Sequence, residues 1–150
     1  MTKFIAGAVL FCAAALPLTA SAQFAKPEDA IKYRKSALTV MGTHFGRIGA
    51  VVRGNAPFDA QQVQMNAATV EFMSTLPWQG FMAGTDKGET KAKPEIWSNA
   101  DKFKGAQDNL VKAVAALSAA AKTGNLDNVK AAFGETGKAC KACHDDFRKE

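Results

Sequence analysis

The chain has 150 residues, with 19 Lys and Arg against 14 Asp and Glu, two His and three Cys. Its formal charge of +5 is modest and spread out, so it lacks the dense basic stripe that nucleic-acid binding needs. Two of the cysteines, Cys140 and Cys143, are only three residues apart. A disulfide between them would close a tiny loop and constrain little of the unfolded chain, so fold stability is a poor reason for the pair.

The N-terminus reads as a removable leader. Lys3 gives a short positive start, residues 4–18 are almost wholly apolar, and Ala20-Ser21-Ala22 offers a small-x-small cleavage site. The pattern predicts a secretory signal peptide over residues 1–22, cut before Gln23. The other reading is a membrane anchor, but the run is short for a bilayer and Pro17 interrupts its end. Cys12 lies in the run and leaves with it, and Phe11 is a poor residue ahead of a lipidated cysteine. Loss of Lys3 lowers the formal charge to +4 and leaves residues 23–150 as one domain with one core.

Four segments of that domain carry a helical period, and none alternates for long like a strand. The first is predicted over residues 27–52. Pro27, Glu28 and Asp29 suit a helix start, and Ile31, Leu38, Met41, Phe45, Ile48 and Val52 share a stripe. The second covers residues 59–76, with Val63, Ala67, Val70 and Met73 on one face and Pro77 as the stop. A long connector, residues 77–94, holds Trp78, Phe81 and Met82 as its apolar members, and its length predicts a loop that packs against something. The third helix covers residues 95–121, and a capping box of Ser98 with Asp101 would start the helix proper there. Gly124-Asn125 makes a turn, and the fourth helix covers residues 126–148.

The 3–4 alternation of apolar residues predicts an all-α fold, an antiparallel up-down-up-down four-helix bundle. Alanine is abundant on these helices and gives little apolar area. A large flat apolar cofactor would supply the missing contact, at about 25 cal/mol per Å² buried.

Cys140-Lys-Ala-Cys143-His144 is the attachment signature of c-type haem. Residues three and four apart on a helix project to nearly one side. Two thiols on successive turns can each add to a haem vinyl group, and the following imidazole can reach the iron. Rival readings are a thioredoxin-like redox pair, which wants a strand–helix context and a helix N-terminus, and a zinc site. The zinc site needs about four ligands, with only His44 left to complete Cys140, Cys143 and His144. Coincidence is the bland alternative. Only a histidine or a methionine could close the second face of the iron strongly. His44 lies beside the apolar stripe, with Phe45 taking the inward place. Met41 faces inward, and Met65, Met73 and Met82 are candidates to do so, although core methionines usually only fill space.

The whole pattern resembles the cytochrome c' family, the bacterial periplasmic four-helix haem proteins. The resemblance rests on QFAKPEDAIKYRKSAL at residues 23–38, LPWQGF at 76–81, KPEIWS at 93–98 and CKACHDDFRK at 140–149. It implies one covalently bound haem c per chain, with His144 as the only protein ligand of a five-coordinate, high-spin iron. Leu38 would be the apolar cover of the open face, where some six-coordinate relatives place a methionine. It further implies Phe81 as a second wall, Arg34 near a haem propionate and Arg148 over the proximal face. NO and CO are the expected ligands, with one-electron redox through an unknown partner, no enzymatic turnover, a periplasmic location and a homodimer through the first two helices. The alternative is a six-coordinate, low-spin electron carrier.

Overall fold

The computed structural model describes residues 23–150; the predicted leader, residues 1–22, lies outside them. Helix α1 (Pro27–Val52) begins where the sequence places it, with Pro27 in the first turn and Glu28 and Asp29 beside the exposed N–H groups. Helix α2 (Ala60–Met73) is capped by Asp59, whose carboxylate accepts from the Gln62 N–H. A 3₁₀ turn (Pro77–Gly80) and a one-turn helix α3 (Glu95–Ser98) bracket the connector. Helices α4 (Ala100–Lys122) and α5 (Leu126–Phe147) complete the chain.

Three boundaries depart from the sequence reading. The second helix stops at Met73 rather than at residue 76, because Ser74, Thr75 and Leu76 turn over into the 3₁₀ segment. The Ser98–Asp101 capping box does not form. Ser98 closes α3 by donating its N–H to the Pro94 carbonyl, and Asn99, at φ −131° and ψ 59°, breaks the chain direction before α4. The last helix ends at Phe147, and Arg148 is already extended.

α1 packs on α2, α2 on α4, α4 on α5, and α5 closes the ring against α1. Gly124, at φ +64°, lets the chain reverse between α4 and α5, and the Asn125 side chain caps α5 through the Asp127 and Asn128 N–H groups. The result is a four-helix bundle with one short additional helix.

The core is layered. At one end Ile48, Val63, Ala67, Leu117, Ala121 and Val129 pack tightly, with Phe45 and Phe133 against them. Next come Met41, Val70, Leu110 and Val114. At the far end Ala92, Ile96, Phe103 and Phe147 meet Trp78, Phe81 and Trp97 from the connector and α3. The inward residues of α2 are Val63, Ala67 and Val70. Met65 is two positions from Val63, about 200° around the helix, and it is 55% exposed rather than inward.

Candidate functional site

The bundle is solid at one end and hollow at the other. A cavity of about 870 Å³ opens between α1, α4, α5 and the connector. Leu38, Met41 and Phe45 face it from α1, Phe103, Leu110 and Val114 from α4, and Trp78 and Phe81 from the connector. Small residues on α5 leave this space open where larger side chains would fill it: Thr136, Gly137 and the two cysteines. The Thr136 hydroxyl donates to backbone carbonyls, at 2.9 Å to Ala132 and 3.2 Å to Ala113, so it adds no free polar group.

Every site residue read from the sequence borders this one cavity: Arg34, Leu38, Phe81, Cys140, Cys143, His144 and Arg148. Cys140, Cys143 and His144 lie on the last turns of α5, and neither thiol is in a disulfide. Burial raises the pKa of both thiols. That of Cys143 rises to about 11, pushed up also by Cys140 and Asp146. These are neutral thiols, not the depressed-pKa thiolates of a redox pair. His144 is shifted the other way, lowered by burial and then by the positive charge of Arg148, against an opposing pull from Asp145. Its neutral form, the one able to bind a metal, is favoured at neutral pH. Among the described residues no group of three or more His, Cys, Asp or Glu side chains is placed to hold a metal ion.

Arg34 is 2% exposed. Its Nη1 donates to the Gly80 carbonyl at 2.8 Å and to Thr85 Oγ1 at 2.7 Å; its Nη2 donates to the Thr85 carbonyl at 2.7 Å and to Thr90 Oγ1 at 2.8 Å. Burial lowers the guanidinium to about 10, still protonated at neutral pH. Arg148 reaches the site by a route the helical spacing did not give. It pairs with Ala92 as an isolated bridge, flanked by Lys93 N–H to Phe147 O at 2.9 Å and Lys149 N–H to Lys91 O at 2.7 Å. This stitch fixes the end of α5 to the connector. Beyond His144 a second, charged hollow of about 550 Å³ faces solvent between Lys91, Lys93, Arg148 and Lys149.

His44 does not border the cavity. Its Nδ1 pairs with Asn66 Oδ1 at 2.8 Å, between α1 and α2. Of the methionines, Met41 borders the cavity; Met65, Met73 and Met82 do not. Trp97 does not border the cavity but supports its wall, a role that the sequence reading missed. Its indole Nε1 donates to the Phe81 and Met82 carbonyls at 3.0 and 3.1 Å, and no local motif advertises that role.

The cavity is large, mainly apolar, and has two neutral thiols and one imidazole at one end. These features fit a haem carried on the Cys-x-x-Cys-His motif. Fold and site together define a helix-bundle haem protein of the c type. A family model described as Cytochrome C' matches residues 29–148. The cytochrome c' of Alcaligenes xylosoxydans xylosoxydans is 54% identical over 132 residues, which is 85% of this chain and 99% of that one. The crystal structure of cytochrome c' from Rubrivivax gelatinosus superposes with a TM-score of 0.82 at 53% identity, covering 85% of this chain and all of that one. A leucine-to-alanine variant of the Alcaligenes xylosoxidans protein, solved as a nitric oxide complex, gives a TM-score of 0.81 at 52% identity over 85% of this chain and 99% of that one. The chain belongs to the cytochrome c' family.

Proposed function

We propose that this protein is an exported, periplasmic haem protein that binds NO and CO at an open iron and undergoes one-electron redox without catalytic turnover. The observation that carries the reading is the convergence of Cys140, Cys143 and His144 with apolar Leu38 and Phe81 on one cavity. A relative solved with nitric oxide bound supports the ligand class.

Cys140 and Cys143 would hold one haem c per chain through thioether bonds, and His144 would supply a nitrogen ligand to its iron. Bound there, the haem supplies an iron that cycles between two oxidation states and accepts a diatomic ligand. The chain's own residues set the conditions. Leu38 offers no donor atom, so it crowds an arriving ligand without competing for the metal. Phe81, Phe103 and Trp78 exclude water and offer little that would hydrogen-bond an anion. The Arg34 Nη hydrogens are committed to the connector, so its Nε–H is the donor left for a propionate. Burial, and then the charge of Arg148, favour the neutral His144 imidazole, and Arg148 borders the same cavity.

The homodimer expected through α1 and α2 has physical support. Met65 and Phe72, seven residues apart on α2, are 55% and 66% exposed, with Phe58 just ahead of the helix at 37% and Val40 of α1 at 40%. Such an apolar line on an outer helix face favours a partner helix.

Met41 gives the six-coordinate alternative its one foothold, being a thioether beside the same cavity. The ferric absorption spectrum at neutral pH decides. A broad high-spin Soret band with a charge-transfer band is expected. A sharp low-spin spectrum with a sulfur-to-iron band would replace the gas-binding reading with electron transfer alone.

A further inference from the structure

The connector between α2 and α4 has little regular backbone pairing of its own, yet it packs closely against α1. Gly80 sits so close that a β-carbon there would come within 2.8 Å of the Ala30 carbonyl and of Arg34 Cβ. Thr85 is fully buried, and its hydroxyl donates to the Met82 carbonyl at 2.7 Å. What binds this strand of chain is mostly one side chain. The four bonds from the Arg34 Nη atoms reach Gly80, Thr85 and Thr90, and the Arg34 Cζ sits 4.4 Å from the centroid of the Phe81 ring. Trp97 holds the Phe81 carbonyl from the other side.

No carboxylate pairs with Arg34 among the described residues. A buried charge is costly unless hydrogen bonds satisfy it, and here carbonyls, hydroxyls and an aromatic face do so. Planar forked donors suit that arrangement, whereas a lysine could reach only some of the acceptors.

We propose that Arg34 is a positioning residue for ligand access: it fastens the connector through Gly80, Thr85 and Thr90 so that Phe81 stays fixed as a wall of the cavity. The proposal deepens the gas-binding reading and rests on it. Arg34 acts through Phe81, not on the ligand. Loosening the fastening frees the wall, and a small gas then reaches the metal faster.

The test uses the ferrous holoprotein and two readouts, amide hydrogen exchange across residues 78–90 and the CO association rate. Arg34→Met removes all four bonds but risks misfolding, so Thr90→Val is the principal variant, deleting one acceptor at nearly constant size. The substitution removes the acceptor of the charged Arg34 Nη2 and of the Ala92 N–H, and loss of the charged bond alone predicts exchange at least about tenfold faster in this segment, with CO association faster by a similar factor. Phe81→Ala should also speed CO. Added to Phe81→Ala, Thr90→Val should then speed CO no further, since both act through one ring.

Unchanged exchange in Thr90→Val would overturn the fastening. Faster exchange with an unchanged CO rate would overturn the link to access, as would independent, multiplying effects of the two substitutions. A wild-type holoprotein that binds no CO would overturn the gas-binding reading itself, and the exchange data alone would still report whether Arg34 fastens the connector.

Discussion

Phe45 of α1 and Phe133 of α5 stack with ring centroids 4.3 Å apart and planes 12° from parallel. The pair marks where the hollow bundle becomes solid. Phe45 borders the cavity, and Phe133 packs on the cluster built around Ile48 and Leu117. Phe133→Ala should lower unfolding free energy by about 3 kcal/mol, read from denaturant midpoints. The position of the Soret band should not move, because the substitution lies beyond the floor of the cavity. Gly49→Ala probes the same contact: its methyl would fall 2.9 Å from Phe133 Cζ and 2.9 Å from Arg53 Nη1. Arg53 can swing aside and the stacked ring cannot, so a loss of about 1–2 kcal/mol is expected. A neutral Phe133→Ala would mean that the stack contributes nothing the helices do not already supply.

Leu38 is half-buried and packs beside Met41 and Cys140. If it crowds the open metal position, Leu38→Ala should raise the CO association rate about tenfold, equivalent to about 1.4 kcal/mol off the barrier. Stopped-flow mixing of the ferrous protein with CO gives the number directly. A rate equal to wild type would remove Leu38 from the guard role and leave Phe81 as the remaining obstacle.

Phe72 is the most exposed large apolar side chain of the α2 line. Phe72→Glu places a charge within any contact made by that line, and an unpaired buried charge is strongly disfavoured. Sedimentation velocity should show a dimer for the parent and a monomer for the variant at the same micromolar concentration, with helical content retained. A variant that still dimerises would move the interface off this face.

Local chemistry made α1 legible from end to end. Pro27 and the two acids after it mark its start, and its apolar stripe runs unbroken to Val52. The thiols and imidazole were legible for the same reason, since their spacing is set within two turns of one helix. The break at Asn99 was not, because the apolar period continues across it from Ile96 to Phe103 and hides the change of direction. Met65 was misread because α2 is only weakly one-sided, and only the packed bundle shows which stripe turns in. Arg34 bonds across 46 to 56 residues of sequence, to two backbone carbonyls and two threonine hydroxyls. No residue type announces such partners, so a family likeness could place Arg34 at the site without revealing what its Nη atoms hold.

The two thiols carry a pH prediction for the haem-free chain. Cys143 rises from an ordinary 9.0 to about 11 because burial, then Cys140, then Asp146 disfavour its thiolate. At any pH below 9 the reactive fraction in the native fold should therefore be about a hundredfold smaller than in the unfolded chain. Iodoacetamide labelling followed by mass spectrometry, with and without urea, measures that ratio. The native rate at Cys143 should keep climbing towards pH 11, whereas the unfolded rate levels off near 9. The linked effect on stability has a definite sign. The native state keeps a proton that the unfolded state has already lost, so the contribution is full below pH 9 and declines as pH rises towards 11. Equal labelling rates in the native and unfolded chains would mean that α5 does not bury its thiols until the haem is attached, and that the cavity forms around the group instead of waiting for it.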